Sequence, residues 1–234
     1  MIEIQNVTKK YGDKKALKNI SFEEGNGEIF AFIGHNGAGK TTLIKSIMGI
    51  HDFDEGDILI NGKSIKKEPV ACKKEMAYVP DNPELYENMK AINFINFICD
   101  MYETPQDKRE KNIKKYAKEF EIEENLGDVI SSFSHGMKQK VALIAALSHD
   151  PKVLVMDEPF VGLDPKAVFD MKEIMRKMIK DGKTIFFSTH ILDVAEKLCT
   201  RVAIIKKGEL VKVGSMRTVK GDKSLEKIFL ELEK

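Results

Sequence analysis

The chain has 234 residues, 42% of them hydrophobic and 32% charged, and its 38 basic and 37 acidic side chains leave a net charge of +1. That length suits one large domain or two small lobes with a buried core. The charge balance gives no reason to expect nucleic acid as a partner or an acidic disordered tail. Cys72, Cys99 and Cys199 form no CxxC pair, which argues against a zinc or redox motif and suits a reducing, cytoplasmic compartment.

The opening MIEIQNVTKKYG alternates as a strand does and lacks the basic and apolar regions of a secretion signal. Apolar runs such as Val141–Leu147 are far shorter than the ~18 residues of a membrane span, so a membrane role has to act through partner chains. Strands are expected at Ile2–Val7, Ile20–Phe22 and Glu28–Ile33, with a turn at Gly25-Asn26-Gly27. A glycine-rich segment, Gly34–Lys40, then leads into the helical pattern TTLIKSIMGI. Asp57–Ile60 runs into an Asn-Gly turn, and Met76–Val79 is a strand ending at Pro80.

From about residue 83 the apolar spacing becomes helical: Ile92, Phe94, Ile95, Phe97, Ile98, Met101, then Ile113, Tyr116, Ala117, Phe120. The charge-rich stretch Asp107–Glu124 reads as the wet face of those helices. Val153–Met156 restores the strand pattern as an apolar run suited to burial on both faces. A helix over Pro165–Lys180, a strand at Thr184–Ser188, a helix from about Ile191, strands at Val202–Ile205 and Glu209–Val213, and a terminal amphipathic helix complete the order. The expectation is one α/β domain: a core lobe of residues 1–82 and 151–234, and an inserted all-helical lobe over about 83–150.

Gly34-His35-Asn36-Gly37-Ala38-Gly39-Lys40-Thr41 fits GxxxxGK[ST] between a strand and a helix, the context in which that pattern cradles phosphates. Glycines let backbone N–H groups turn inward, and the following helix offers its positive end. Lys40 adds a charge near the β- and γ-phosphates, Thr41 can ligate Mg²⁺, and Thr42 is expected with the loop among the nucleotide-binding residues. The loop alone does not separate kinases, GTPases, helicases and transport ATPases, but the absence of an NKxD motif argues against a GTPase. Val153-Leu154-Val155-Met156-Asp157-Glu158-Pro159 ends a strand in two carboxylates. At the C-terminal edge of a parallel sheet they would lie beside the phosphate loop, Asp157 supporting Mg²⁺ and Glu158 polarising the attacking water.

Phe133-Ser134-His135-Gly136-Met137 resembles the signature of the ABC ATPases, usually LSGGQ. Gly162-Leu163-Asp164-Pro165 looks like that family's D-loop, Ser188-Thr189-His190 like its switch histidine, and Tyr11 stands where the family stacks an aromatic ring on adenine. With the phosphate loop and the acidic strand end, these elements stand in family order over nearly the whole chain. The resemblance implies a P-loop NTPase core with a mainly parallel sheet, an N-terminal antiparallel β subdomain and an inserted α-helical subdomain. It also implies ATP and Mg²⁺ as cofactors, and two ATP-binding subunits packed head to tail. Ser134 and the Gly136 amide would contact the γ-phosphate held by the partner, Asp164 would shape the opposite site, and His190 would hold the attacking water. Ser134 by residue type alone is a helix N-cap, and both roles are compatible.

The chain departs from the family at Asp81, where a glutamine usually ligates Mg²⁺, so Asp81 is expected to reach the metal through water. His135 replaces a signature glycine and Met137 a glutamine, and Lys140 stands where arginine is frequent. Asp81 and the ending Ser224-Leu225-Glu226-Lys227-Ile228-Phe229 resemble the multidrug, bacitracin and sodium exporter branch. The implied setting is the cytoplasmic face of a membrane, beside transmembrane permease subunits nearest Asn82–Met89. The competing reading is a soluble ABC ATPase of translation or repair type, against which stand one copy of each motif and no heptad array.

Overall fold

The computed structural model describes residues 1–233. Two sheets form the frame. In the first, β1 (Ile2–Tyr11) and β2 (Lys14–Glu24) make an antiparallel hairpin, and β4 (Glu55–Ile60) adds to the other edge of β1. The short β5 (Lys63–Ser64) returns from β4 through Asn61 and Gly62, both at positive φ (48° and 82°). That is the backbone a two-residue Asn-Gly hairpin turn demands.

The second sheet has the order β10-β9-β3-β8-β7-β6. Its strands β3 (Ile29–Ile33), β6 (Met76–Val79), β7 (Val153–Asp157), β8 (Thr184–Thr189) and β9 (Arg201–Lys206) are parallel, and β10 (Glu209–Ser215) runs antiparallel at the edge. Every residue of β3, β7 and β8 is buried, because helices or the first sheet cover both faces. Alternate residues separate accordingly. Phe30, Phe32, Val155 and Phe186 face the antiparallel sheet and α1 (Lys40–Ile47), where Phe22 stacks on Phe30 at 4.8 Å between centroids. Ala31, Ile33, Leu154, Met156 and Phe187 face the opposite side, towards α6 (Pro165–Lys180) and the helices inserted between β6 and β7.

Those inserted helices are α3 (Ala91–Met101), α4 (Gln106–Glu119) and α5 (His135–Ser148). The run Val141–Ser148 is buried all round, so α5 is the pillar against which α3, α4 and β6 pack. Its apolar residues share one continuous cluster with the lower face of the sheet. After β8 come α7 (Leu192–Leu198), then α8 (Met216–Lys220) and α9 (Leu225–Glu233) beyond β10.

β1 runs four residues past the expected Val7, carried through Asn6 at φ 51° by register shifts that local alternation does not register. β5, α8 and α2 (Pro69–Glu75) have no counterpart among the expected elements. α2 buries only Cys72, so it leaves no apolar period to read. The strand expected from Glu28 begins at Ile29, because the Glu28 carboxylate turns back to accept the Gly25 N–H at 2.7 Å.

Candidate functional site

The carboxyl ends of β3, β7 and β8 meet at one edge, and the loop from β3 to α1 crosses it. Two of its glycines are required by space. A Cβ on Gly34 would lie 2.6 Å from the Ile205 carbonyl, and one on Gly39, at φ 118°, would lie 2.7 Å from the Ala16 carbonyl. The loop is therefore clamped between β9 and β2, with Gly34 and Ala38 buried beneath it and His35, Asn36 and Gly37 exposed above. Lys40 opens α1 and is only 6% exposed. Its Nζ donates to the Gly34 carbonyl at 2.7 Å and stands 3.4 Å from Glu158 Oε1.

The Asp157 carboxylate is buried at the end of β7 and accepts two hydroxyls. Thr41 Oγ1 donates to its Oδ2 at 2.6 Å, and Ser188 Oγ donates to its Oδ1. Asp157 and Ser188 are register partners across β7 and β8, so the sheet itself sets this contact. Glu158 takes φ 47°, the left-handed region that a side chain enters only where its surroundings hold it there. Ser188 does that holding: its Oγ accepts the Glu158 N–H at 3.1 Å and its carbonyl accepts the same N–H at 3.2 Å. The turn aims Glu158 Oε1 at Lys40 and Oε2 at His190, whose Nδ1 is 2.9 Å away and whose backbone N–H donates at 3.2 Å.

Lys40, Thr41, Asp157 and Glu158 open onto a cavity of about 870 Å³, which Ser188 and His190 back without lining. Its floor is the glycine-rich loop, Thr41, Thr42, Asp157 and Glu158, with Asp81 at the rim. Its wall is the β1–β2 hairpin (Tyr11, Lys14, Lys15, Ala16, Lys18), closed by Lys207 and Gly208. Burial raises the Asp81 carboxyl above its ordinary range, and the charges of Asp157 and Glu158 add to that rise against His135 and His190. Tyr11 is half exposed beside the loop, its hydroxyl 2.8 Å from His51 Nδ1. A ring of lysines around a crowded carboxylate floor is the charge pattern of a site for a polyphosphate that carries a divalent cation.

Ser134, Gly136 and Asp164 do not line this cavity. Ser134 caps α5, its Oγ accepting the Met137 N–H at 3.3 Å. Asp164 caps α6 through the Ala167 N–H at 2.8 Å and pairs with Lys140 at 2.9 Å, and these two contacts hold its carboxyl below the usual range.

Residues 17–161 match the family described as ABC transporter. The chain belongs to that family. Relatives match over nearly all of this chain. It is 34% identical to the transporter ATP-binding protein EcsA of Bacillus subtilis over all of this chain and 97% of that one. It is 35% identical to the linearmycin resistance ATP-binding protein LnrL of the same organism, over 92% of this chain and 69% of that one. It is 33% identical to the methionine import protein MetN of Clostridioides difficile, over 99% of this chain and 74% of that one. A solved ATP-binding subunit of an ABC transporter superposes with TM-score 0.96 at 32% identity, each chain wholly covered. The dimeric cassette MJ0796, solved in a post-hydrolysis state with ADP and Pi, gives TM-score 0.84 at 26% identity over 93% of this chain and 99% of that one. The fold is thus the ABC ATPase fold, and the protein is an ATPase subunit of the ABC transporter class.

Read as an ABC ATPase, the chain gathers Tyr11, the whole glycine-rich loop, Thr41, Thr42, Asp81, Asp157, Glu158 and His190 at one edge, and sets Ser134, Gly136 and Asp164 apart from it. Sequence places Ser188 in the switch-histidine motif without a role of its own, and gives the lysines of the first hairpin none. Ser188 was findable: it is the first polar residue after the run Ile185–Phe187, on a strand that had to neighbour Asp157. The lysines of KKYGDKKALK carry no spacing that distinguishes them from a solvated turn.

Proposed function

We propose that this chain hydrolyses ATP to drive a membrane transporter, through head-to-tail dimerisation of two ATP-binding subunits. The observation that carries the reading is the convergence of Lys40 and His190 on the two oxygens of Glu158, beside Thr41 and Ser188 on those of Asp157. It is a preorganised phosphate-transfer site. The glycine-rich loop and the α1 N-terminus hold the β- and γ-phosphates, Lys40 leaves Glu158 for them, and Tyr11 stacks on the adenine. Glu158 then accepts a proton from the attacking water, which His190 holds in line. Thr41 and Asp157 would hold Mg²⁺, with Asp81 acting through water, and the ion would supply charge against the phosphates. Burial is the main cause of the raised Asp81 carboxyl, and a cation would offset the smaller part that comes from the charges of Asp157 and Glu158.

The dimer reading rests on the separation of the two half-sites. Ser134, the Gly136 amide and the start of α5 form an anion-facing surface that does not reach its own chain's loop, and in the homodimer it would close on the partner's ATP. No described helix is long and apolar enough to cross a membrane; the reading pairs the chain with transmembrane permease subunits. Their proposed seat is the Asn82–Met89 loop, beside which Tyr86, Phe97 and Met101 are exposed, with Tyr86 edge-on to Phe97 at 5.8 Å. The chain would then lie on the cytoplasmic face of the membrane. Export is proposed from the Asp81 loop and the resemblance to LnrL; MetN, an importer by name, is a comparable relative. Purification with its permease in lipid vesicles tests the whole reading. ATP-dependent substrate movement should vanish with Lys40→Ala, and turnover unaffected by that substitution would refute it.

A further inference from the structure

His135 occupies a signature position where the family carries glycine, and its ring has a definite partner. A Cβ built on Gly162 would stand 2.5 Å from His135 Cδ2 and 2.9 Å from Nε2, so the imidazole lies against the Gly162 Cα. Two neighbouring contacts run the same way. A Cβ on Gly136 would stand 2.9 Å from the Gly162 carbonyl, and Lys140 Nζ is 2.9 Å from Asp164 Oδ2. The loop that receives these contacts begins at Glu158, whose carbonyl accepts the Val161 N–H at 3.1 Å. The first turns of α5 and the loop from β7 to α6 are therefore packed together within one chain.

The geometry points to His135 as a positioning residue that locks the signature turn to the loop carrying Asp164, so that the two surfaces one chain lends to its partner's ATP move as one body. This rests on the proposed dimer. A glycine at 135 has no atoms to fill the space over Gly162, and the two segments would then be joined chiefly by Lys140 and Asp164. Held together, they approach the partner without each having to be ordered separately, which lowers the entropic cost of closure.

The test is a double-mutant cycle of His135→Gly and Gly162→Ala in the Glu158→Gln background. ATP-driven dimerisation is followed by sedimentation, and nucleotide binding to the monomer by a fluorescent ATP analogue. His135→Gly should weaken dimerisation about tenfold and leave monomer binding within twofold. A merely structural residue would move both. Gly162 sits at φ 78°, so alanine is strained in either background. It should nevertheless cost about tenfold more with His135 present than with glycine at 135, because only the ring bars its Cβ. Equal costs in both backgrounds, or a His135→Gly protein that dimerises as well as its parent, would overturn the role. A Glu158→Gln parent that stays monomeric in saturating Mg-ATP would refute the dimer itself and this role with it, so the two failures are distinguishable.

Discussion

Replacing Glu158 by glutamine separates the two jobs proposed for its carboxylate. Glutamine keeps the volume and an acceptor but removes the charge facing Lys40 at 3.4 Å and His190 at 2.9 Å. A positioned general base contributes ~10²- to 10⁴-fold to rate, or about 3–5 kcal/mol of barrier at ~1.36 kcal/mol per decade, so turnover should fall by that factor. Binding should move the other way. The Coulomb attraction between Lys40 and Glu158 at 3.4 Å is about 5 kcal/mol at an effective dielectric of ~20. Desolvation leaves about 1.5–3 kcal/mol of it, the net worth of a charged hydrogen bond. In the wild type that pair competes with phosphate for Lys40. Without it, ATP affinity should rise by about tenfold or more, since ~1.4 kcal/mol is a factor of ten. Single-turnover hydrolysis and calorimetric titration measure the two quantities. A loss of turnover below tenfold, or weaker ATP binding, would refute the assignment of Glu158 as base and resting partner of Lys40.

Tyr11→Ala should weaken ATP binding by about 1–3 kcal/mol, the usual worth of base–aromatic stacking, while Tyr11→Phe keeps it; equal losses would show that the hydroxyl bond to His51 matters instead. His149 is buried with its ring stacked on Tyr102 at 3.7 Å, and burial pushes its pKa down from 6.5 to about 4. It is neutral in the fold and protonates first in the unfolded chain, so about 3 kcal/mol of stability should be lost as pH falls from 6.5 to 4. Urea unfolding of His149→Phe should lack that part of the acid loss, and parallel pH curves would refute it. Glu24 is fully buried, neither carboxyl oxygen has a hydrogen-bond partner among the described residues, and burial raises its pKa well above 4.5. A raised carboxyl costs stability as pH climbs above its unfolded value, so Glu24→Gln should raise Tm more at pH 8 than at pH 5; a gain that shrinks with pH would be the contrary result.

The phosphate loop and the acidic strand end were legible because chemistry confines them to a few residue types at fixed spacing, and the structure sets both on the sheet edge that this spacing implied. Val153–Met156 was legible as a strand buried on both faces for a related reason, its continuous apolar run, and the structure buries β3 and β8 beside it in the same way. What escaped was whatever depends on distant chain segments. Ser188 acts on Asp157 and Glu158 through strand register, which no local pattern states. The contact of His135 with Gly162 joins segments on either side of β7, so the substitution at 135 could be seen in the sequence but not what it touches.

The two caps outside the cavity differ in how committed they are, and that difference bears on how the site is shared. The Ser134 hydroxyl is exposed and accepts one long N–H contact of 3.3 Å. A hydroxyl that accepts still has its own proton to give, so Ser134 can cap α5 and donate to a phosphate at once. Asp164 cannot donate, and a bare carboxylate brought towards another subunit's phosphates would be repelled. Its charge is already taken up by the Ala167 N–H and Lys140, which leaves it able to order an interface without opposing the anion beyond it. In the proposed dimer, a chain built this way would offer its partner one donor and one neutralised acid while keeping its own lysine, base and switch histidine at home, and neither half-site would be complete until two copies met.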